Sequence, residues 1–242
     1  MTQNWKDIWN RRAQGSEEAS LESLIKLDGF DTGAGRMEAD DWRKYAALIA
    51  EKLCIRDGTT VFEVGCGAGA FLYALRERHS LSVGGIDYSA SLIAAASRII
   101  IDGDFRVAEA KEFQTRPQYD HVIANSVFHY FDLEYAAEVL GRMMKKARIA
   151  VAVMDIPDLC TKDKSEELRR EYLSPHEYEV KYAGLEHTYY ARDWFKAQAE
   201  VHGHECQVFD GCLPGYAQNR FRFGCIIRIS GDFGGGPERT PE

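Results

Sequence analysis

The chain has 242 residues, 45% of them apolar, which is enough for one substantial core and too few for two domains with independent cores. With 30 Lys plus Arg against 38 Asp plus Glu, a net charge of -8, its averaged surface repels phosphate backbones and argues against bulk nucleic-acid binding. No apolar run approaches the roughly 20 residues that span a bilayer, so a soluble, cytoplasmic protein with no membrane partner is expected.

Six cysteines (Cys54, Cys66, Cys160, Cys206, Cys212 and Cys225) form no CxxC pair and no Cys/His spacing of the zinc type, and most sit in apolar runs. Buried free thiols in a reducing compartment and no bound metal are the expectation.

In chain order, Trp5, Ile8 and Trp9 share a helical face, and Trp42, Tyr45, Ile49 and Leu53 repeat at three-to-four spacing, so two amphipathic helices are predicted before the first strand. GFDTGAG (29–35) reads as a glycine-rich loop between them.

From Thr59, β-branched runs alternate with helical ones: TVFEV, GAFLYALRERH, LSVGGID, SASLIAAASRII, FRVAEA, HVIANSV, LEYAAEVLGRMMKK, RIAVAVM. That rhythm predicts a parallel sheet with crossover helices. After Asp155 it breaks into a charged, tyrosine-rich stretch, then a helix around ARDWFKAQAEVHG and the strands ECQVF and RFRFGCIIRI, which fit an insertion followed by a closing hairpin.

The organisation expected is therefore one domain over 1–230. Helices in 1–56 form part of a lid, 57–155 the ligand-binding core, 156–190 a cap, and 191–230 the closing helix and strands. Residues 231–242, glycine- and proline-rich, are expected to be a disordered tail.

VFEVGCGAGAFL (61–72) places Glu63 at a strand end before Gly65, Gly67 and Gly69, whose freedom lets the backbone turn sharply and approach a ligand. A tight strand-to-helix connection gives the same pattern, and nicotinamide and flavin enzymes use a related turn. Here the third glycine of GxGxxG is missing, since Phe71 and Leu72 follow, and an acid stands where dinucleotide folds carry an apolar residue, which suits a cationic or amine-bearing ligand. A second strand ends in Asp87, about 20 residues on, the spacing at which a carboxylate reaches ribose hydroxyls. Asp87 would otherwise cap the next helix, a task that Ser89 is equally able to perform.

In this order the motifs over residues 40–155 resemble those of the class I S-adenosylmethionine-dependent methyltransferases, in the small-molecule branch whose first motif reads E-x-G-x-G-x-G. The resemblance implies a three-layer Rossmann-like α/β/α fold, with a seven-stranded, mostly parallel sheet whose last strand is antiparallel. Its implied cofactor, S-adenosylmethionine (product S-adenosylhomocysteine), has a positive ammonium and sulfonium and no pyrophosphate, consistent with Glu63.

By position, the resemblance implies that Glu63, Gly65, Cys66 and Gly67 line the methionine side, Asp87 binds the ribose and Tyr88 flanks adenine. Ala108-Glu109-Ala110 stands where the family usually reads GDA, facing the adenine amine. Asn125 and Ser126, ending the strand of YDHVIANSVFHYF, would lie beside the sulfonium.

His129 is the histidine nearest that junction and the candidate base, since an imidazole of ordinary pKa near 6.5 accepts a proton readily. It reads equally as a packing residue between Phe128 and Tyr130. Methyl transfer also proceeds by alignment of nucleophile, carbon and sulfur without an obligatory base.

The acceptor, expected to be a small molecule, aromatic or a biosynthetic intermediate, would be lined by His187, Tyr189 and Tyr190 of the cap and by Tyr216. Those tyrosines read equally as a lid or a dimer contact. Trp5 and Trp9 likewise cover their own pocket or a homodimer partner. The rival functions are a protein or RNA methyltransferase, a nucleotide-cofactor oxidoreductase, and a non-catalytic scaffold that keeps the cofactor pocket.

Overall fold

A computed structural model describes Trp9 and residues 20–31, 35–171, 174–182 and 186–230. Trp5, Ile8, residues 32–34 of the glycine-rich loop and the expected tail lie outside the described residues.

Helix α1 (Leu21–Leu27) opens the described chain, with Ser20 and Ser23 exchanging side-chain and backbone hydrogen bonds in a capping box. It was passed over in the sequence, although Leu21, Leu24 and Ile25 carry the buried face. α2 (Ala39–Leu53) buries Trp42, Tyr45, Ala46, Ile49 and Leu53 as their spacing predicts.

The alternation then runs β1 (Thr60–Val64), α3 (Ala70–Arg76), β2 (Ser82–Asp87), α4 (Ala90–Ile99), β3 (Asp104–Val107), β4 (Tyr119–Asn125), α5 (Leu133–Lys146) and β5 (Ala147–Pro157). β5 reaches two residues past the expected core boundary at 155. The described part of the segment expected to form a cap holds two helices, α6 (Lys162–Glu171) and α7 (Pro175–Tyr182). α8 (Arg192–Val201), β6 (Glu205–Asp210) and β7 (Arg222–Arg228) close the domain.

The seven strands pair in the order β3-β2-β1-β4-β5-β7-β6. β1 to β5 are parallel neighbours, while β7 runs antiparallel between β5 and β6. This is the three-layer, Rossmann-like arrangement.

One face of the sheet buries Ile25, Trp42, Ile49, Phe71 and Leu92, and the other buries Val139, Leu140, Met143, Phe195 and Phe223. Because both faces are covered, β1 is buried from Val61 to Val64, which is why its sequence reads as a continuous apolar run with a single acid. The strand order reverses between β1 and β4, which opens a crevice at their carboxyl ends.

The six cysteines are free, but only Cys66 and Cys225 are buried; Cys54 and Cys160 are exposed, a correction to the expectation of buried thiols. Among the described residues no helix is long and apolar enough to cross a membrane, and no group of three or more His, Cys, Asp or Glu side chains is placed to hold a metal.

Candidate active site

At the carboxyl end of β1 the chain turns through Gly65 (φ 71°) and Gly67 (φ 52°), a region that L side chains enter at a cost. The N–H groups of Gly65 and Cys66 both donate to the Ile86 carbonyl, at 2.8 and 2.9 Å, which ties the turn to β2. A Cβ on Gly65 would lie 2.5 Å from Cγ2 of Val127, and one on Gly67 would collide with the Asp28 carboxylate. The turn is therefore held by close packing as well as by its dihedral angles.

A cavity of about 760 Å³ opens above this turn. It is lined by Glu63, Gly65, Cys66, Gly67, Asp87, Tyr88, Ala108, Glu109, Ala110, Asn125 and Ser126, so the structure gathers around one space every residue expected to hold the cofactor.

Three carboxylates surround the glycine turn. Asp87 Oδ2 accepts from the Gly67 N–H at 3.1 Å and Oδ1 from the Ser89 N–H at 2.8 Å, while Ser89 itself caps α4 through the Leu92 N–H. Burial pushes the Asp87 carboxyl up to about 6, partly offset by these backbone donors. Glu63 is buried with no hydrogen-bond partner on Oε2. Its acidity is weakened well beyond the ordinary range by burial first, then by the charges of Asp28 and Asp87.

Asp28 follows α1 and accepts from the Ala68 and Ala70 N–H groups at 2.6 and 3.1 Å. Sequence reading missed it, because a lone aspartate 40 positions from the turn that it supports carries no local signal.

On the far side, the Tyr45 hydroxyl donates to Asn125 Oδ1 at 2.9 Å, so α2 orients the side chain at the end of β4. Ser126 takes φ 56° and its Oγ donates to Asp155 Oδ2 at 2.6 Å. Asp155 stands at φ 55° where the β5 to β7 register shifts between Val153 and Ile156.

The residues expected to contact an acceptor are not in the cavity lining. His129 is buried on a short 3-10 turn, its ring 4.0 Å from that of Tyr130 and 4.3 Å from that of His187. Burial, then the charges of Arg222 and Arg169, hold it well below the usual histidine range, hence neutral. His187 Nδ1 lies 2.7 Å from Arg169 Nη2. Tyr189 is buried with no partner for its hydroxyl, and Tyr216 packs against Phe30 with ring centroids 6.0 Å apart.

Tyr190 requires a correction. It is fully buried, its hydroxyl donates to the Phe128 and Phe131 carbonyls at 2.8 and 2.9 Å, and its ring packs on Phe195. With tip and face both occupied by the core, it is a strut beneath the site and lines no acceptor pocket. Asp158, just past β5, accepts from the Cys160 N–H and pairs with Arg192 at 2.7 Å.

Residues 62–149 match a family described as a methyltransferase domain. The resemblance to the class I, S-adenosylmethionine-dependent methyltransferases that the sequence motifs carry is borne out by this match over β1 to β5. The fold of this chain is shared with magnesium protoporphyrin IX methyltransferase from Synechocystis PCC 6803 with bound SAH, at 15% identity over 94% of this chain and 95% of that one, with a TM-score of 0.61. It is shared too with the plantazolicin methyltransferase BpumL in complex with a pentazolic desmethylPZN analog and SAH, at 12% identity over 95% of this chain and 100% of that one, TM-score 0.64. The small RNA methyltransferase HEN1 is similar at 16% identity over 78% of this chain and 25% of that one, TM-score 0.60. No curated protein is recognisably similar in sequence.

Proposed function

We propose that this methyltransferase acts on a small molecule held between the carboxyl ends of β4 and β5 and the helical cap. The observation that carries the cofactor side is Glu63, a buried carboxylate with an unpartnered oxygen between two further carboxylates. Three carboxyl groups over a glycine turn cannot all ionise without repulsion, and a cation placed among them favours their charged forms. The donor set thus fits a ligand with an ammonium and a ribose.

S-adenosylmethionine would supply a methyl group already activated on a positive sulfur. Glu63 and the Gly65 to Gly67 backbone would hold its amino-acid end, Asp87 the ribose hydroxyls, Tyr88 an adenine face and Glu109 the adenine amine. Asn125 and Ser126 would flank the sulfur. Methyl displacement then requires chiefly that the acceptor atom be aligned and kept from water.

His129 is the proposed proton acceptor where the nucleophile needs one: its Nδ1 has no hydrogen-bond partner, and burial keeps the ring neutral while weakening it as a base. Trp9 lines the cofactor cavity with its ring 6.2 Å from that of Tyr130, which favours a lid over its own pocket above a subunit contact. The net charge of -8 weighs against a nucleic-acid acceptor.

Calorimetric titration with S-adenosylmethionine and S-adenosylhomocysteine tests this reading. Micromolar binding is expected, weakened by about 1 to 3 kcal/mol in Asp87→Ala, where a ribose contact and the tie to Gly67 are both lost. Absence of binding to either ligand would overturn it.

A further inference from the structure

Arginine is almost never fully buried unless paired, and the Arg222 side chain, at the start of β7, is only 3% exposed while two of its donors, Nε and Nη1, make no hydrogen bond. Its neighbouring carboxylate is Asp155, whose Oδ1 stands 3.6 Å from Nε and whose Oδ2 is engaged by Ser126. A second guanidinium, Arg169 of α6, meets His187 and pairs with no carboxylate among the described residues.

Unpartnered groups accumulate around this pair. The Tyr189 hydroxyl and Gln218 Nε2 are buried without acceptors, Gln218 Oε1 being taken by the Ser165 hydroxyl at 2.8 Å. Tyr130, Tyr189 and Tyr216 lie within electrostatic reach of Arg222. Among the described residues the neighbourhood is therefore rich in donors and holds two guanidiniums against one carboxylate, inside a protein whose net charge is -8. Buried donors without acceptors are costly until an acceptor meets them, and a second guanidinium beside one buried ion pair favours an incoming anion.

The cluster adjoins the cofactor cavity. Ser126 and Tyr130 belong to the cavity wall, Ser126 binds Asp155, and Asp155 faces Arg222. We propose that the methyl acceptor carries a carboxylate and that Arg222, assisted by Arg169, binds it. The planar guanidinium fork matches the two oxygens of a carboxylate. The location as an acceptor site rests on the methyltransferase reading; the affinity for a carboxylate rests on the cluster alone.

The test is calorimetry with benzoate and 4-hydroxybenzoate against benzamide and 4-hydroxybenzamide, with and without S-adenosylhomocysteine. An acid is expected to bind at least about tenfold more tightly than its neutral amide, because charge-assisted hydrogen bonds are the stronger ones. Arg222→Gln is expected to erase the preference and Arg222→Lys to keep part of it, with affinity for S-adenosylhomocysteine unchanged. Should Arg222→Gln fail to fold, Arg169→Gln at the half-buried edge is expected to reduce the preference roughly threefold. Acids that bind no better than amides to the wild-type protein, or a preference that survives Arg222→Gln, overturn the proposal. Loss of S-adenosylhomocysteine binding alone would count against the methyltransferase reading and leave an Arg222-dependent acid preference standing.

Discussion

Ser126 and Asp155, at the ends of adjacent parallel strands, both hold left-handed backbones, and a 2.6 Å hydrogen bond joins their side chains. For residues other than glycine each such conformation costs on the order of 1 to 3 kcal/mol and persists only where the surroundings enforce it. Here the Ser126 N–H also donates to the Met154 carbonyl at 3.2 Å, so backbone and side chain together fix the turn. Ser126→Ala is expected to destabilise the fold by about 1 to 2 kcal/mol in urea titrations. Ser126→Gly, which relieves the backbone, is expected to lose less stability while losing as much cofactor affinity.

The carboxylates over the glycine turn predict a proton linkage. Burial raises Asp87 to about 6 and Glu63 further above its ordinary range, so the cofactor-free protein holds protons there that a cationic ligand must displace. A raised carboxylate that is forced to ionise on binding makes affinity grow as pH rises through its free-protein value. Binding of S-adenosylmethionine is therefore expected to weaken as pH falls through about 6, with net proton release seen as a dependence of the calorimetric heat on buffer ionisation enthalpy. Glu63→Gln should bind more weakly and release fewer protons; unchanged release in that variant would rule out Glu63 as the source.

Asp28 supports the turn from outside the motif. Asp28→Ala would leave the Ala68 and Ala70 N–H groups without their acceptor, at an expected cost of about 1 to 3 kcal/mol in thermal unfolding, together with a rise in the dissociation constant for S-adenosylhomocysteine. Cofactor affinity equal to that of the wild type would show that the turn keeps its shape unaided.

Two adjacent tyrosines should respond in opposite ways. Tyr190→Phe removes the donor to two buried carbonyls and is expected to lower stability by about 1 to 3 kcal/mol without altering ligand affinity. Tyr189→Phe removes a buried hydroxyl that has no partner, so its stability should hold or rise slightly while binding of the acid probes weakens.

The contrast between those residues shows where the sequence was legible. The cofactor half could be read because it is local: an acid, a glycine turn and a second acid follow one another on consecutive βα units, and strand-end geometry delivers Glu63, Asp87, Glu109 and Asn125 to one cavity. The proposed acceptor half is built otherwise. Asp155, Arg169 and Arg222 come from β5, α6 and β7, and no spacing announces that they converge. The tyrosine-rich stretch announced aromatic surface but not its direction, so Tyr190 looked like lining and proved to be core.

The insertion of β7 between β5 and β6 divides labour along the chain. Everything that lines the proposed methyl donor's cavity lies before residue 136, whereas Arg169, Tyr189 and Arg222 lie after 155. Exchange of the segment from the cap to the last strand would therefore alter which molecule is recognised and leave the donor's binding intact, which makes this boundary a natural crossover point for recombining specificities.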